Sequence, residues 1–159
     1  MSALPKLAVV SNDDIQIDYG TEVLIPDATY EVVYQGHKTA LVFGKHPSVS
    51  LRFRIITPGE YFGKEIARHY RVAKLKGEPR ENGAFTLRRN SLLFLELVRL
   101  SDFKQKPSRI SLSVLRGCAF EVSTRTVKKS WHKQTKLPIW LQYSVVDRIR
   151  KQTAGAQEI

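Results

Sequence analysis

The chain has 159 residues, of which 42% are hydrophobic and 26% charged, a composition typical of one globular domain with a real core. It contains no apolar run of the roughly 18 residues that a membrane-spanning helix needs, no secretory signal, and only one cysteine, so it excludes an intrachain disulfide and favours a cytoplasmic protein. The net charge of +11 indicates a polyanionic partner, with a highly charged surface that binds nothing as the alternative.

The charge divides the chain into unequal parts. The first 27 residues hold one lysine and five acidic residues, a net charge of −4, so the remainder carries +15. We therefore expect a loosely ordered acidic lead-in over residues 1–22 and a basic domain over residues 23–149. The last segment, residues 150–159, is predicted to be a frayed tail.

Three strands are predicted in the first half of the domain. Residues 30–37 are rich in β-branched and aromatic side chains, and Gly36 suggests a bulge. Residues 41–43 continue this strand or form a separate one. Residues 48–55 alternate strictly, which predicts a buried row of Val49, Leu51, Phe53 and Ile55. After a turn at Pro58-Gly59, a further strand is expected at about residues 64–74.

The second half of the domain contains one predicted helix. Asn82-Gly83 suits a small hairpin that ends in residues 85–87, and Asn90 or Ser91 can cap a helix over residues 92–100. The apolar residues of that helix, expected to form a largely buried stripe, are Leu92, Leu93, Leu95, Val98 and Leu100. Residues 110–115 are strand or a short helical turn.

Two further segments complete the domain. Residues 118–127 predict a strand whose register stays open. A basic loop over residues 128–136 follows, and residues 140–149 return as a strand or short helix. One helix between the third and fourth strands of a small, mainly β Greek-key barrel is the arrangement of the OB-fold. Another small barrel or an α+β sandwich could use the same elements.

Three short motifs resemble a family of phage and mobile-element proteins, the OB-fold single-stranded-DNA-binding proteins. They are Ile25-Pro26 followed by Tyr30, the alternation Leu51-x-Phe53-x-Ile55, and Gly59-x-x-x-Gly63-Lys64. Together they cover about residues 25–71. The resemblance implies binding of displaced single strands in replication or recombination. The chain departs from the bacterial housekeeping proteins of this function in lacking an acidic C-terminal tail that ends in an aromatic residue.

Two clusters of side chains are candidates for binding nucleic acid. In an OB barrel the strand-binding groove crosses the second and third strands, where cations neutralise phosphates and aromatic rings stack on bases. The candidates there are Arg52, Arg54, Arg68, Tyr70, Arg71 and Lys74. Arg52 and Arg54 could equally belong to a solvated outer face, and strand parity also allows Tyr70 to lie in the core.

The second cluster is the basic loop, which has the position of a loop by which OB-folds hold oligonucleotides. Its candidates are Lys128, Lys129, Trp131, Lys133 and Lys136. Trp131 either stacks on a base or folds back onto the barrel. Arg88 and Arg89 form a third basic pair, which we interpret as charged surface.

The sequence carries little sign of catalysis. Its four histidines are scattered without metal-ligand spacing, and neither a phosphate loop nor a Gly-x-Ser-x-Gly nucleophile motif occurs. We expect no enzyme activity, no metal and no cofactor. The expected partner is single-stranded DNA, with RNA, self-association and a replication or recombination protein left open. The alternative is a protein-interaction module that modulates a host or phage enzyme without nucleic acid.

Overall fold

The computed structural model describes residues 15–17, 22–101, 106–130 and 134–155. The strands in these ranges are β1 (Thr29–Val42), β2 (His46–Ile55), β3 (Glu65–Arg71), β4 (Lys74–Leu75), β5 (Phe85–Thr86), β6 (Ala119–Val127) and β7 (Tyr143–Ala154). The helical elements are α1 (Leu92–Leu100) and two 3₁₀ turns, Leu112–Leu115 and Ile139–Leu141. No helix in the described ranges is long and apolar enough to cross a membrane.

Five strands form one antiparallel sheet in the order β3-β2-β1-β6-β7, and β4 pairs with β5 in a separate small hairpin. The predicted mainly β class is confirmed, and among the described residues one α-helix lies between the third and fourth strands of the main sheet, as predicted. In the described part of the chain no hydrogen-bonded ladder joins β3 to β7, so the sheet itself is open.

The long first strand bends at a bulge. Residues 41–42 continue β1, and the register with β2 shifts between Tyr34 and Gly36, as the glycine predicted. Before the shift the buried residues have even numbers, such as Tyr34, whereas beyond it the buried Thr39 has an odd number. A side chain at Gly36 would meet Asn82, since a Cβ there would lie 3.0 Å from its Oδ1 atom.

The alternating strand β2 supplies the centre of the core. Val49, Leu51, Phe53 and Ile55 are all at most 2% exposed, which confirms the predicted buried row. The Phe53 ring lies edge-on to Tyr34, with centroids 5.7 Å apart, and contacts β6 through Phe120. Burying aromatic rings contributes much of the apolar area of a small domain, so Phe53 joins β2 to both β1 and β6 within the core.

Helix α1 has the predicted ends but not the predicted face. The Ser91 hydroxyl accepts a hydrogen bond from the Phe94 amide at 3.3 Å and so caps the helix. The buried residues are Leu93, Glu96 and Leu97. The expected stripe is wrong at three positions that are exposed, namely Leu92, Leu95 and Val98. A helix that packs one side against the core buries only a narrow face, here with Leu93 and Leu97 in the core cluster, so part of an apolar run remains outside.

Side chains, rather than a strand ladder, connect β3 and α1 to β7. The Arg68 guanidinium donates to the carbonyl oxygens of Val146, at 3.0 Å, and Asp147. Arg99 of α1 donates to two carbonyl oxygens further along β7, at residues 149 and 150. Glu96 lies between the two arginines, with its carboxylate 2.7 Å from Arg68 and 3.7 Å from Arg99. The edge carbonyls of β7 thereby gain donors without a neighbouring strand.

Other boundaries differ from the predictions in detail. β3 ends at Arg71, three residues before the predicted end, and residues 74–75 belong to the small hairpin with β5. Residues 112–115 form the helical turn that was one of two alternatives. β7 continues to Ala154, into the segment predicted to be frayed, because it pairs with β6 over its whole length. Apart from residues 15–17 and 22, the predicted lead-in lies outside the described residues.

Candidate nucleic-acid interface

The exterior of β2 and β3 forms one surface, which we call the β2–β3 face. It consists of the side chains opposite to the buried row, namely Ser48, Ser50, Arg52, Arg54, Glu65, Ala67, His69 and Arg71. The register pairs Ser48 with Arg71, Ser50 with His69, Arg52 with Ala67, and Arg54 with Glu65. Of these four cross-strand pairs, the two end pairs hold Arg71 and Arg54, and the two central pairs hold Ser50, His69, Arg52 and Ala67.

Arg54 and Arg71 are the cations that this face presents to solvent. Both are exposed, and among the described residues neither makes an ion pair, although Glu65 is the cross-strand neighbour of Arg54. Guanidinium groups without an internal partner can pair with phosphate oxygens without first breaking a salt bridge.

Arg52 lies on the same face but is already engaged. Its Nη2 atom lies 2.6 Å from Glu81 Oε2, and the side chain is 31% exposed. Its Nε atom is buried and has no hydrogen-bond partner. Arg52 therefore holds the loop before β5 against β2, and it would have to exchange a carboxylate for a phosphate to bind a strand.

Arg68 and Tyr70 point to the other side of β3. They lie opposite the buried Leu51 and Val49, so strand parity turns them towards the interior. Tyr70 is 4% exposed, as the core alternative predicted, which leaves no ring face open to a base. Its hydroxyl donates to Glu96 at 2.8 Å and accepts from Arg68 at 2.6 Å.

The pKa values of this internal pair follow from burial and charge. Burial raises the pKa of Tyr70, and Glu96 raises it further, against the opposing effect of Arg68. Desolvation opposes the charge of Arg68, but Tyr70 and Glu96 outweigh it and raise the pKa of the guanidinium. Tyr70 is therefore a neutral hydrogen-bond donor and Arg68 a permanent cation, both committed to the fold.

The remaining strand candidate, Lys74, lies at the start of the β4–β5 hairpin, outside the β2–β3 face, and is exposed. The face thus brings together Arg52, Arg54 and Arg71 from the six residues that the sequence placed in the groove.

The basic loop is the end of the β6–β7 hairpin. The pairing extends beyond the strands through a bridge between Lys129 and Lys136 and through the Leu137 amide, which donates to the Lys128 carbonyl at 2.7 Å. Lys128, Lys129 and Lys136 are exposed, and no lysine side chain that the structure describes makes an ion pair. The predictions for Trp131 and Lys133 lie outside the described residues.

Trp140 is an exposed aromatic residue that was predicted to begin a last strand or short helix and was not among the site candidates. It lies in the 3₁₀ turn before β7, 67% exposed, beside Ile139, which is 73% exposed. The preceding Pro138 and the absence of alternation in residues 137–141 were signals that this stretch is not a half-buried strand.

His69 is the titratable group at the centre of the β2–β3 face. Its Nδ1 atom lies 2.7 Å from the Ser50 hydroxyl. Although the residue keeps exposed surface, desolvation by its surroundings lowers the pKa of His69, and the positive charge of Arg125 lowers it further. The ring is therefore neutral at pH 7.

The described residues contain no group of three His, Cys, Asp or Glu side chains that could hold a metal ion. Cys118 is buried, with its thiol 3.6 Å from the Val114 carbonyl.

Comparison with protein-family models, with curated proteins and with solved structures finds no match for this chain.

Proposed function

We propose that this chain is a non-enzymatic, sequence-tolerant single-stranded-DNA-binding protein with an OB-like barrel. The strand order supports the fold, because an OB barrel has the same neighbours and brings its third strand beside its fifth. The bonds that Arg68 and Arg99 make to β7 support that closure, since OB barrels are partly open and this seam is filled by side chains.

The observation that carries the functional proposal is the β2–β3 face, with Arg54 and Arg71 exposed at its opposite ends and free of ion pairs among the described residues. In this proposal a single strand crosses the face, its phosphates contact the arginines, and the cationic β6–β7 hairpin contacts the strand beyond them. Release of counterions supplies most of the affinity, and base stacking on exposed aromatic rings adds about 1–3 kcal/mol per base. We propose a role in the replication or recombination of a phage or mobile element from the motif resemblance alone.

The test is fluorescence anisotropy with labelled oligo-dT over a series of salt concentrations. The logarithm of the binding constant should fall linearly with the logarithm of salt, with a slope of about −0.7 per phosphate contacted. Arg54→Gln and Arg71→Gln should each make the slope shallower by about 0.7. Arg109→Gln removes an exposed, unpaired arginine outside the face, and its slope should equal that of the wild type. A binding constant that is independent of salt contradicts the proposal.

A second candidate is a protein-interaction module that modulates a host or phage enzyme. The exposed row Leu92, Leu95 and Val98 on α1 favours it, because these positions lie on one side of the helix and remain uncovered in the described chain. Stable capture of one enzyme, lost in Leu95→Glu, together with no anisotropy change for any oligonucleotide, would favour this candidate over the first.

A further inference from the structure

A groove of about 470 Å³ opens between the end of β3 and the start of α1. Arg71, Val72 and Ala73 line one side, and Arg88, Asn90 and Leu92 line the other. Its volume lies within the range of about 300–1,000 Å³ that is typical of sites for small organic groups. Because Arg71 also belongs to the β2–β3 face, the groove continues that face around the end of β3.

Three polar side chains of the groove are not used elsewhere in the described structure. Arg71, Arg88 and Asn90 are exposed and take part in no ion pair or side-chain hydrogen bond among the described residues. The other polar side chains that line the groove are engaged, Tyr70 with Glu96, Ser91 with the Phe94 amide, and His69 with the Ser50 hydroxyl. Two guanidinium groups and one amide thus remain as donors, over a lining that Val72, Ala73 and Leu92 make apolar.

This combination suits a nucleotide unit. Guanidinium groups from two elements can hold one phosphate from two sides, and an apolar lining accepts the sugar or the base. We infer that one nucleotide of the bound strand leaves the β2–β3 face at Arg71 and enters this groove, with its phosphate between Arg71 and Arg88. The inference rests on the proposed function and extends the path of the strand beyond the face.

The experiment compares Arg88→Gln with Arg89→Gln. Both substitutions remove one exposed, unpaired positive charge at adjacent positions, but only Arg88 lines the groove. Binding of oligo-dT of about 4 and about 16 nucleotides, the two ends of the range that one OB fold covers, is measured over a salt series. With the long strand, the slope of Arg88→Gln should be shallower than that of the wild type by about 0.7 and that of Arg89→Gln unchanged.

With the short strand, which the β2–β3 face accommodates alone, both variants should bind like the wild type. Equal slopes for the two variants on the long strand overturn the inference, and so does an equal loss by Arg88→Gln on both strand lengths. These outcomes differ from failure of the proposed function itself, in which the wild-type protein binds neither oligonucleotide at low salt.

Discussion

At the scale of single residues, His69 links the β2–β3 face to pH. Its pKa lies below the ordinary value of 6.5, because desolvation and Arg125 both disfavour the protonated ring. As the pH falls, His69 is therefore protonated in the unfolded chain before it is protonated in the folded protein. The free energy of unfolding decreases as the pH drops through 6.5 towards the lower pKa of the folded state. A bound phosphate would favour the protonated ring and so oppose this loss.

We expect two opposite effects of acid in the same protein. From about pH 7.5 to about pH 5 the free energy of unfolding should fall, while the affinity for oligo-dT should rise, because the face gains a positive charge. His69→Gln should reduce both changes. Urea unfolding and anisotropy at each pH measure them, and identical pH profiles for the variant and the wild type would show that His69 contributes to neither.

Arg68 and Tyr70 show what decides the role of a residue on a strand. Both lie within a basic and aromatic stretch and were binding candidates together with Arg71, with the core as the alternative for Tyr70. In the structure they face Leu51 and Val49 across the ladder and lie inside. The two-residue period of a strand already put Arg68 and Tyr70 on the opposite side from Arg71. Apolar and polar residues are mixed on both sides of this segment, so the sequence did not decide which side is buried.

At the scale of elements, α1 separates local from long-range information. Its bounds follow from neighbouring residues and were predicted, and its cap, Ser91, was one of two predicted alternatives. Its buried face depends on which side meets the sheet, so Leu93 is 1% exposed while the adjacent Leu92 is 57% exposed. Because the leucines of this segment lie on several sides of the helix, the sequence pattern alone does not show which side packs against the core.

Leu93→Ala should lower the free energy of unfolding by about 3 kcal/mol, because it removes buried methyl groups and leaves a cavity in the core. Leu92→Ala, the same substitution one position earlier, should change it by no more than about 0.5 kcal/mol. Urea denaturation of both variants measures the difference. Similar losses of stability in the two variants would mean that Leu92 is buried as well, as the sequence pattern predicted.

At the scale of the whole molecule, three charged side chains connect β3 and α1 to β7. Glu96 is buried between Arg68 and Arg99, and both arginines donate to β7 carbonyls. Removing one member of a buried ion pair leaves the other charge uncompensated, which usually costs more than losing an exposed pair. The exposed pair Arg52–Glu81 provides the matched comparison.

Glu96→Leu should therefore destabilise the protein by about 3–5 kcal/mol. Glu81→Leu should cost about 1 kcal/mol or less. The double variant Arg68→Met with Glu96→Leu should lose less stability than the sum of the two single variants, because no unpaired charge remains. Guanidinium chloride unfolding of the four variants gives these values, and strictly additive losses would mean that the two side chains are not coupled.

The amino-acid sequence by itself determined the first two strands and β6, the bounds of the helix, the bulge at Gly36 and the buried row of β2. These features depend on the order of polar and apolar residues within a few positions, which is where period and turn chemistry operate. The positive charge of the domain follows in the same way from composition.

Only the tertiary structure decided which cations are available. Arg68 meets Glu96, 28 positions away, and the Val146 carbonyl, 78 positions away, and Arg52 meets Glu81. The groove that Arg71 shares with Arg88 likewise forms from segments separated by the small hairpin. Contacts between distant segments depend on how the sheet and the helix pack against each other, and no local pattern encodes them. An arginine at position 68 therefore holds the fold together, whereas an arginine at position 71 is exposed and, in our proposal, contacts phosphate.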